Sequence, residues 1–125
     1  MKKRVLIVED NVKNRMLEKD LLELGGFEVL EAEDGASGIA LAKKEKPDVI
    51  VMDLRLPDMS GILAAESLRC EQTTWGIPIV FVTASVTGND MEEIQSLPNT
   101  FFLTKPIDTR TFAETISQCI SGKAL

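Results

Sequence analysis

The chain has 125 residues, 44% of them hydrophobic and 27% charged, with a formal net charge of −6 and no histidine. That length builds one domain with a real core. The acidic balance argues against a nucleic-acid-binding surface, and the lack of histidine excludes His-ligated metal sites and nucleophile pairs that use His as base.

Cys70 and Cys119 lie far apart and match no metal or redox spacing. They read as two reduced core thiols of a cytoplasmic protein rather than as a disulfide. Lys2, Lys3 and Arg4 open the chain, but Glu9 and Asp10 interrupt the apolar stretch after about five residues, too early for a signal peptide. No window approaches a membrane span.

Strands and helices alternate along the chain. Residues 5–8 form an apolar, β-branched run, expected to be a buried strand. A helix is expected over 11–24, with Leu17, Leu21 and Leu24 at helical spacing, capped by Asp10 or Asn11 and stopped by Gly25-Gly26. A weaker strand covers 28–32. Asp34-Gly35 is a turn, with Asp34 able to cap a helix whose buried stripe is Ala36, Ile39 and Ala40. Residues 48–53 are the clearest strand. Ser60-Gly61 opens a third helix with Ala64, Ala65 and Leu68 inward. A fourth strand spans 77–83, and Gly88-Asn89-Asp90 begins a helix carrying Met91 and Ile94. A fifth strand runs over 100–103. Asp108 or Thr109 caps the last helix, with Phe112, Ile116, Cys119 and Ile120 on one face.

Five β-α units with short connections imply a parallel sheet with helices on both faces. The expected architecture is α/β: a flavodoxin-like (βα)5 three-layer sandwich, strand order 2-1-3-4-5, filling residues 1–125 as a single domain. In that order the first and third strands are neighbours at the topological switch point, where ligands bind.

The carboxyl ends of the strands carry the chemistry. Glu9-Asp10 follows the first strand, Asp53 the third, Thr83-Ala84-Ser85 the fourth and Lys105-Pro106 the fifth. Adjacent carboxylates attract a hard divalent cation, and Mg²⁺ suits a few carboxylates plus waters. A carboxylate beside such a cation can attack phosphorus as a nucleophile. Lys105 can pair with phosphoryl oxygens, the Thr83 hydroxyl can donate one hydrogen bond, and the small Ala84 leaves an open approach. Together they describe a phosphoryl-transfer site without its own donor. Taken singly, each has a structural explanation: Asp53 or Asp10 as a helix cap, Thr83 as a β-branched strand residue, Lys105 as a surface lysine. Four residues at the correct strand ends outweigh those explanations.

The residues Val5-Leu6-Ile7-Val8-Glu9-Asp10-Asn11, Val51-Met52-Asp53, Leu56-Pro57-Asp58-Met59-Ser60-Gly61, Val82-Thr83-Ala84 and Leu103-Thr104-Lys105-Pro106 carry a resemblance. Over essentially all its length the chain resembles the receiver domain of two-component response regulators, in the flavour of single-domain regulators with a Glu-Asp-Asn corner. The resemblance implies that Asp53 is the phosphoacceptor. It implies that Asp10 and Asp53 ligate Mg²⁺, with Glu9 helping through water and the Arg55 backbone carbonyl as a further ligand. Thr83 and Lys105 would bind the phosphoryl group, and the Lys105-Pro106 bond would be cis. Thr83 and Phe102 would form a switch, the hydroxyl moving toward the phosphoryl group and vacating space for the ring. The bland alternative for Phe102 is a half-buried strand residue.

The expected partners are a sensor histidine kinase or histidine phosphotransfer protein as donor, and a downstream protein target met through the fourth helix, fifth strand and fifth helix. Nucleic acid and membrane insertion are not expected. The chain would be a phosphoacceptor with slow autodephosphorylation rather than an enzyme in the ordinary sense. Alternatives are a receiver excised from a longer regulator or hybrid kinase, and a scaffold acting without phosphorylation. An aspartyl-phosphate phosphohydrolase would need a second acid where Arg55 stands. A flavin module would need a Ser/Thr/Gly phosphate loop where Glu9-Asp10-Asn11 stands.

The chain departs from the family pattern in places. Glu9 replaces the commoner Asp, and Phe102 lacks a tyrosine hydroxyl. Leu97-Pro98-Asn99 precedes the fifth strand, where Pro98 should end the fourth helix and Asn99 supply a left-handed residue. Arg55 and Ser85 would border the path of hydrolytic water, so Arg55→Ala is expected to change autodephosphorylation. Trp75 is expected to pack partly against the third helix.

Overall fold

The computed structural model describes residues 2–122; Met1 and the last three positions of the expected single domain lie outside the described residues. Five strands form one sheet: β1 (Arg4–Val8), β2 (Glu28–Ala32), β3 (Val49–Met52), β4 (Ile79–Thr83) and β5 (Thr100–Thr104). All neighbours are parallel, in the order β2-β1-β3-β4-β5. Each strand is followed by a helix: α1 (Val12–Leu24), α2 (Gly35–Glu45), α3 (Gly61–Arg69), α4 (Gly88–Ser96) and α5 (Phe112–Ile120). The flavodoxin-like topology is therefore the observed one.

Alternation along the strands divides the core. Leu6, Val8, Ile50, Met52, Ile79 and Phe81 face α3 and α4 through Ala64, Ala65, Leu68 and Ile94. Val5, Ile7, Val49, Val51, Val80 and Val82 face α1 and α5 through Leu22, Phe112, Ile116 and Cys119. Because both faces are covered, β1, β3 and β4 read as unbroken apolar runs rather than alternating ones.

Helix starts follow capping chemistry. Asn11 accepts from the Asn14 amide and Asp34 from the Ser37 amide. Thr87 and Asp90 form a reciprocal capping box at α4. Asp58, from the β3–α3 loop, takes the Gly35 and Ala36 amides at 2.8 and 2.9 Å and so caps α2 from outside. Asn99 adopts φ 55° after α4 ends, and Lys105-Pro106 is cis.

Five expectations are corrected. In α1 the inward residues are Glu18 and Leu22, while Leu17 is exposed and Leu24 is 86% exposed. Arg15 fixes that face by reaching the Glu9 carbonyl at 2.8 Å. In α2 the buried positions are Gly35, Gly38 and Ala42; Ala36 and Ala40 face out and Ile39 is half-buried. There the Val8 side chain stands 2.8 Å from where a Cβ on Gly38 would sit, so helix and sheet approach too closely for larger inward residues. At α5 the cap position is Thr111, without a side-chain bond, because Asp108 instead accepts from the Arg110 amide at 3.0 Å. Cys119 is buried, but Cys70 is exposed at the end of α3 and is not a core thiol. Trp75 is 61% exposed, since the neighbouring Thr74 takes the buried slot and bonds the Leu68 carbonyl at 2.7 Å.

Candidate functional site

Sheet register brings the acids together. Val8 pairs with Met52, so Glu9 and Asp53 leave adjacent strands side by side. The Asp53 amide bonds the Val8 carbonyl at 3.2 Å and the Glu9 amide bonds the Ala32 carbonyl at 3.0 Å. Glu9, Asp10 and Asp53 each offer a carboxylate oxygen within 4.8 Å of the others. On the other flank Thr83 pairs with Thr104, and the Lys105 amide bonds the Thr83 carbonyl at 2.8 Å.

One ammonium serves two carboxylates. Lys105 Nζ donates to Glu9 Oε1 at 2.7 Å and to Asp53 Oδ2 at 3.1 Å. The second oxygen of Glu9 accepts from the Asn11 amide, and Asp53 Oδ1 accepts from the Arg55 amide. Burial pushes the Glu9 carboxyl above its ordinary range, against the pull of Lys105 and the Asn11 amide. Burial opposes the Lys105 charge too, but its bonds to Glu9 and Asp53 outweigh that and hold the ammonium above its usual range. Asp10 is exposed and has no cation partner among the described residues.

The loop after Asp53 depends on a missing side chain. The Gly61 amide bonds the Leu54 carbonyl at 2.8 Å, and a Cβ on Gly61 would collide with the Asp53 carbonyl oxygen. Glycine there lets α3 start directly beneath the acid. Arg55 and Ser60 close the intervening loop with an antiparallel bridge.

Thr83 is buried, and its hydroxyl donates to the Ser85 carbonyl at 3.3 Å. It is thus turned along its own loop. Ala84 and Ser85 are exposed, leaving the approach to the acids open. Phe102 is half-buried and packs on the same core as Val86 and Leu97. All the expected site residues except Phe102 lie at the carboxyl edge or on the loops leaving it; Phe102 sits mid-strand in β5.

One residue and one contact escaped the sequence reading. Glu18 is buried and, with Leu17, Ala84, Lys105 and Pro106, lines a groove of about 490 Å³ beside the site. Burial, reinforced by Glu9, pushes its carboxyl up to about 8. Its inward position would have been legible had the α1 stripe been drawn through Leu22 instead of Leu17 and Leu24. The contact joins two residues already named: Arg55 Nη2 donates to Asp90 Oδ2 at 2.8 Å, although they are far apart in sequence. No periodicity signals that pair. A groove of about 730 Å³ between α1, β2 and α2 is not lined by Glu9, Asp10 or Asp53, although Arg15 and Ala32 on its wall bond the Glu9 main chain.

The donor set fits a hard cation: three carboxylate oxygens at a switch point, with the Lys105 ammonium on two of the carboxylates. No helix among the described residues is long and apolar enough to cross a membrane.

Comparisons agree with this geometry. The chain is 37% identical over 116 residues to the polar-differentiation response regulator DivK of Brucella anthropi, covering 93% of this chain and 94% of that one. The Brucella ovis DivK matches equally well over the same shares. Among solved structures, the chemotaxis response regulator CheY4 of Vibrio cholerae aligns with a TM-score of 0.87 at 28% identity, covering 95% of this chain and 99% of that one. The receiver domain of sensor histidine kinase PA1611 from Pseudomonas aeruginosa, with a magnesium ion coordinated in its active site cleft, aligns at 0.86 with 27% identity, covering 97% and 99%. The response regulator receiver domain family matches residues 5–117, nearly the whole sheet, the first four helices and the start of α5, and the chain belongs to that family.

Proposed function

We propose that this chain is a stand-alone phosphoacceptor switch, taking a phosphoryl group on Asp53 from the phosphohistidine of a kinase or phosphotransfer partner. The observation that carries the reading is the shared ammonium: Lys105 bridges Glu9 and Asp53 across strands β1, β3 and β5. A lysine so placed is already beside the acceptor oxygen.

In the transfer, an Asp53 oxygen attacks phosphorus and the phosphorus–nitrogen bond of the donor breaks, its electron pair staying on the imidazole. Lys105 follows the new charge from the carboxylates to a phosphoryl oxygen. Thr83 gives up the Ser85 carbonyl for another phosphoryl oxygen, a bond it exchanges at little cost because 3.3 Å is already long. The space left by Thr83 is the route by which Phe102 would turn inward. Asp10 and Asp53, with Glu9 through water and the Arg55 carbonyl, would hold Mg²⁺, which when bound would supply positive charge against the crowded carboxylates and the incoming phosphoryl group. Two features support that assignment: the crowding of the three carboxylates within 4.8 Å, and the ion described for the PA1611 receiver. Output would pass by protein contact through α4, β5 and α5.

The test is Mg²⁺-dependent labelling by a radiolabelled small phosphodonor, acetyl phosphate. Wild type should incorporate label and Asp53→Ala should lose it essentially completely. Full labelling of the variant would remove Asp53 from the reaction. Wild type that neither labels nor binds Mg²⁺ would favour a scaffold acting without phosphorylation.

A further inference from the structure

The Arg55 side chain crosses from the acceptor loop to the first turn of α4, where it meets Asp90 at 2.8 Å. Its backbone amide stays on Asp53 Oδ1 at 3.2 Å. One residue therefore touches the acceptor with its main chain and a second helix with its side chain. We propose that Arg55 changes partner on phosphorylation, from Asp90 to the phosphoryl group on Asp53, and that Asp90 is a positioning residue setting the lifetime of that group. The inference rests on the phosphoacceptor reading above.

Four observations carry it. First, Asp90 Oδ2 takes two donors, Arg55 Nη2 and the Thr87 amide at 3.0 Å. When Arg55 leaves, the capping bond to Thr87 remains, so the carboxylate is not stranded. Second, a guanidinium has five N–H donors, and among the described residues the Arg55 side chain makes one hydrogen bond, to Asp90. Third, the Arg55 side chain is 52% exposed against 13% for Asp90, so the pair is open to water at its arginine end, the partner that would move. Fourth, Asp53 gains charge on phosphorylation, and a doubly charged phosphoryl group outbids a single carboxylate for an arginine fork.

The consequence is chemical. In hydrolysis a water oxygen bonds to phosphorus and the bond to the Asp53 oxygen breaks, its electron pair remaining on the carboxylate. The acyl phosphate dianion and water thus become carboxylate and dihydrogen phosphate. Arg55 laid over the phosphoryl group blocks the open side beside Ala84 and Ser85 from which that water must come. Asp90 opposes the blockade by drawing Arg55 away.

The experiment follows decay of the acetyl-phosphate label in wild type, Asp90→Asn, Arg55→Ala, Arg55→Lys and the Arg55→Ala/Asp90→Asn double variant, with Mg²⁺ present. Asparagine keeps an oxygen for the Thr87 amide, so α4 retains its cap. Asp90→Asn should slow decay about two- to five-fold, the range an exposed ion pair spans. Arg55→Ala should speed decay, and Arg55→Lys should restore part of the protection. In the Arg55→Ala background, Asp90→Asn should change nothing, a dependence that a purely structural role for Asp90 would not show. Equal effects of Asp90→Asn with and without Arg55, or no effect in either, would overturn the partner exchange. Failure of wild type to label would instead overturn the acceptor assignment beneath it.

Discussion

The two edges of the sheet handle acidic residues differently. At the amino edge Arg4 answers three of them: its amide bonds Asp48 at 2.7 Å, and its guanidinium meets Glu45 at 2.6 Å and Glu28 at 3.4 Å. Each acid there has its own donor. The Glu28 side chain is 60% exposed, and water carries much of the charge. At the carboxyl edge Glu9 and Asp53 share one ammonium inside the fold, and Asp10 has none among the described residues. The ratio of cation to acids is similar at both ends. Burial and sharing separate a surface ion cluster from a site, because a desolvated acid without its own partner stays available to an incoming charge.

That contrast is sharpest at its two cations. Lys105→Ala in metal-free buffer strands the buried Glu9 and the half-buried Asp53 carboxylates and should cost about 3 kcal/mol, whereas Arg4→Ala should cost about 1 kcal/mol or less. Urea unfolding of both variants checks this, and equal losses would erase the distinction between the edges.

The next effect concerns Glu18, the buried acid nearest the Lys105 cluster. Its folded value of about 8 lies above the ordinary 4.5. The group's contribution to stability is therefore full below 4.5 and lost as pH rises through about 8. Glu18→Leu removes that dependence. It should stabilise the protein by up to about 3 kcal/mol at pH 7 and hardly at pH 4. A gain that is the same at both pH values would show that Glu18 does not titrate in this way.

A smaller comparison uses two glycines. Gly61→Ala drives a Cβ into the Asp53 carbonyl and should cost about 2 kcal/mol while slowing acetyl-phosphate labelling. Gly76 lies in the loop before β4, with nothing within 4 Å of an added Cβ. Alanine there should change thermal stability by about 0.5 kcal/mol or less. Equal responses would mean that the loop after Asp53 tolerates as much as the opposite edge does.

Much of this was legible beforehand for a simple reason. Strands buried on both faces must be apolar throughout, so residues 5–8, 48–53 and 77–83 announced themselves, and their ends marked where acids could meet. Asp53, Asp10, Thr83 and Lys105 were found as exceptions at the ends of such runs. Helix faces were harder. In α1 exposed leucines outnumber the single fully buried one, so hydrophobicity pointed to Leu17 and Leu24 while the fold turned Glu18 and Leu22 inward. In α2 the inward positions are glycines and an alanine, which carry almost no hydrophobic signal.

Local chemistry along the chain was enough to specify the order of the elements, most of their caps, the strand-end acids and the membership of a receiver family. Those features depend on neighbours in sequence or on a pattern of burial that repeats along each strand. Tertiary structure alone decided which carboxylates Lys105 holds, that the Thr83 hydroxyl rests on Ser85, that Glu18 lies beside the acids, and that Arg55 reaches Asp90. Each is a choice among several nearby partners made by flexible polar side chains. Such choices depend on distances across the sheet and on local burial, and neither exists until the strands have paired.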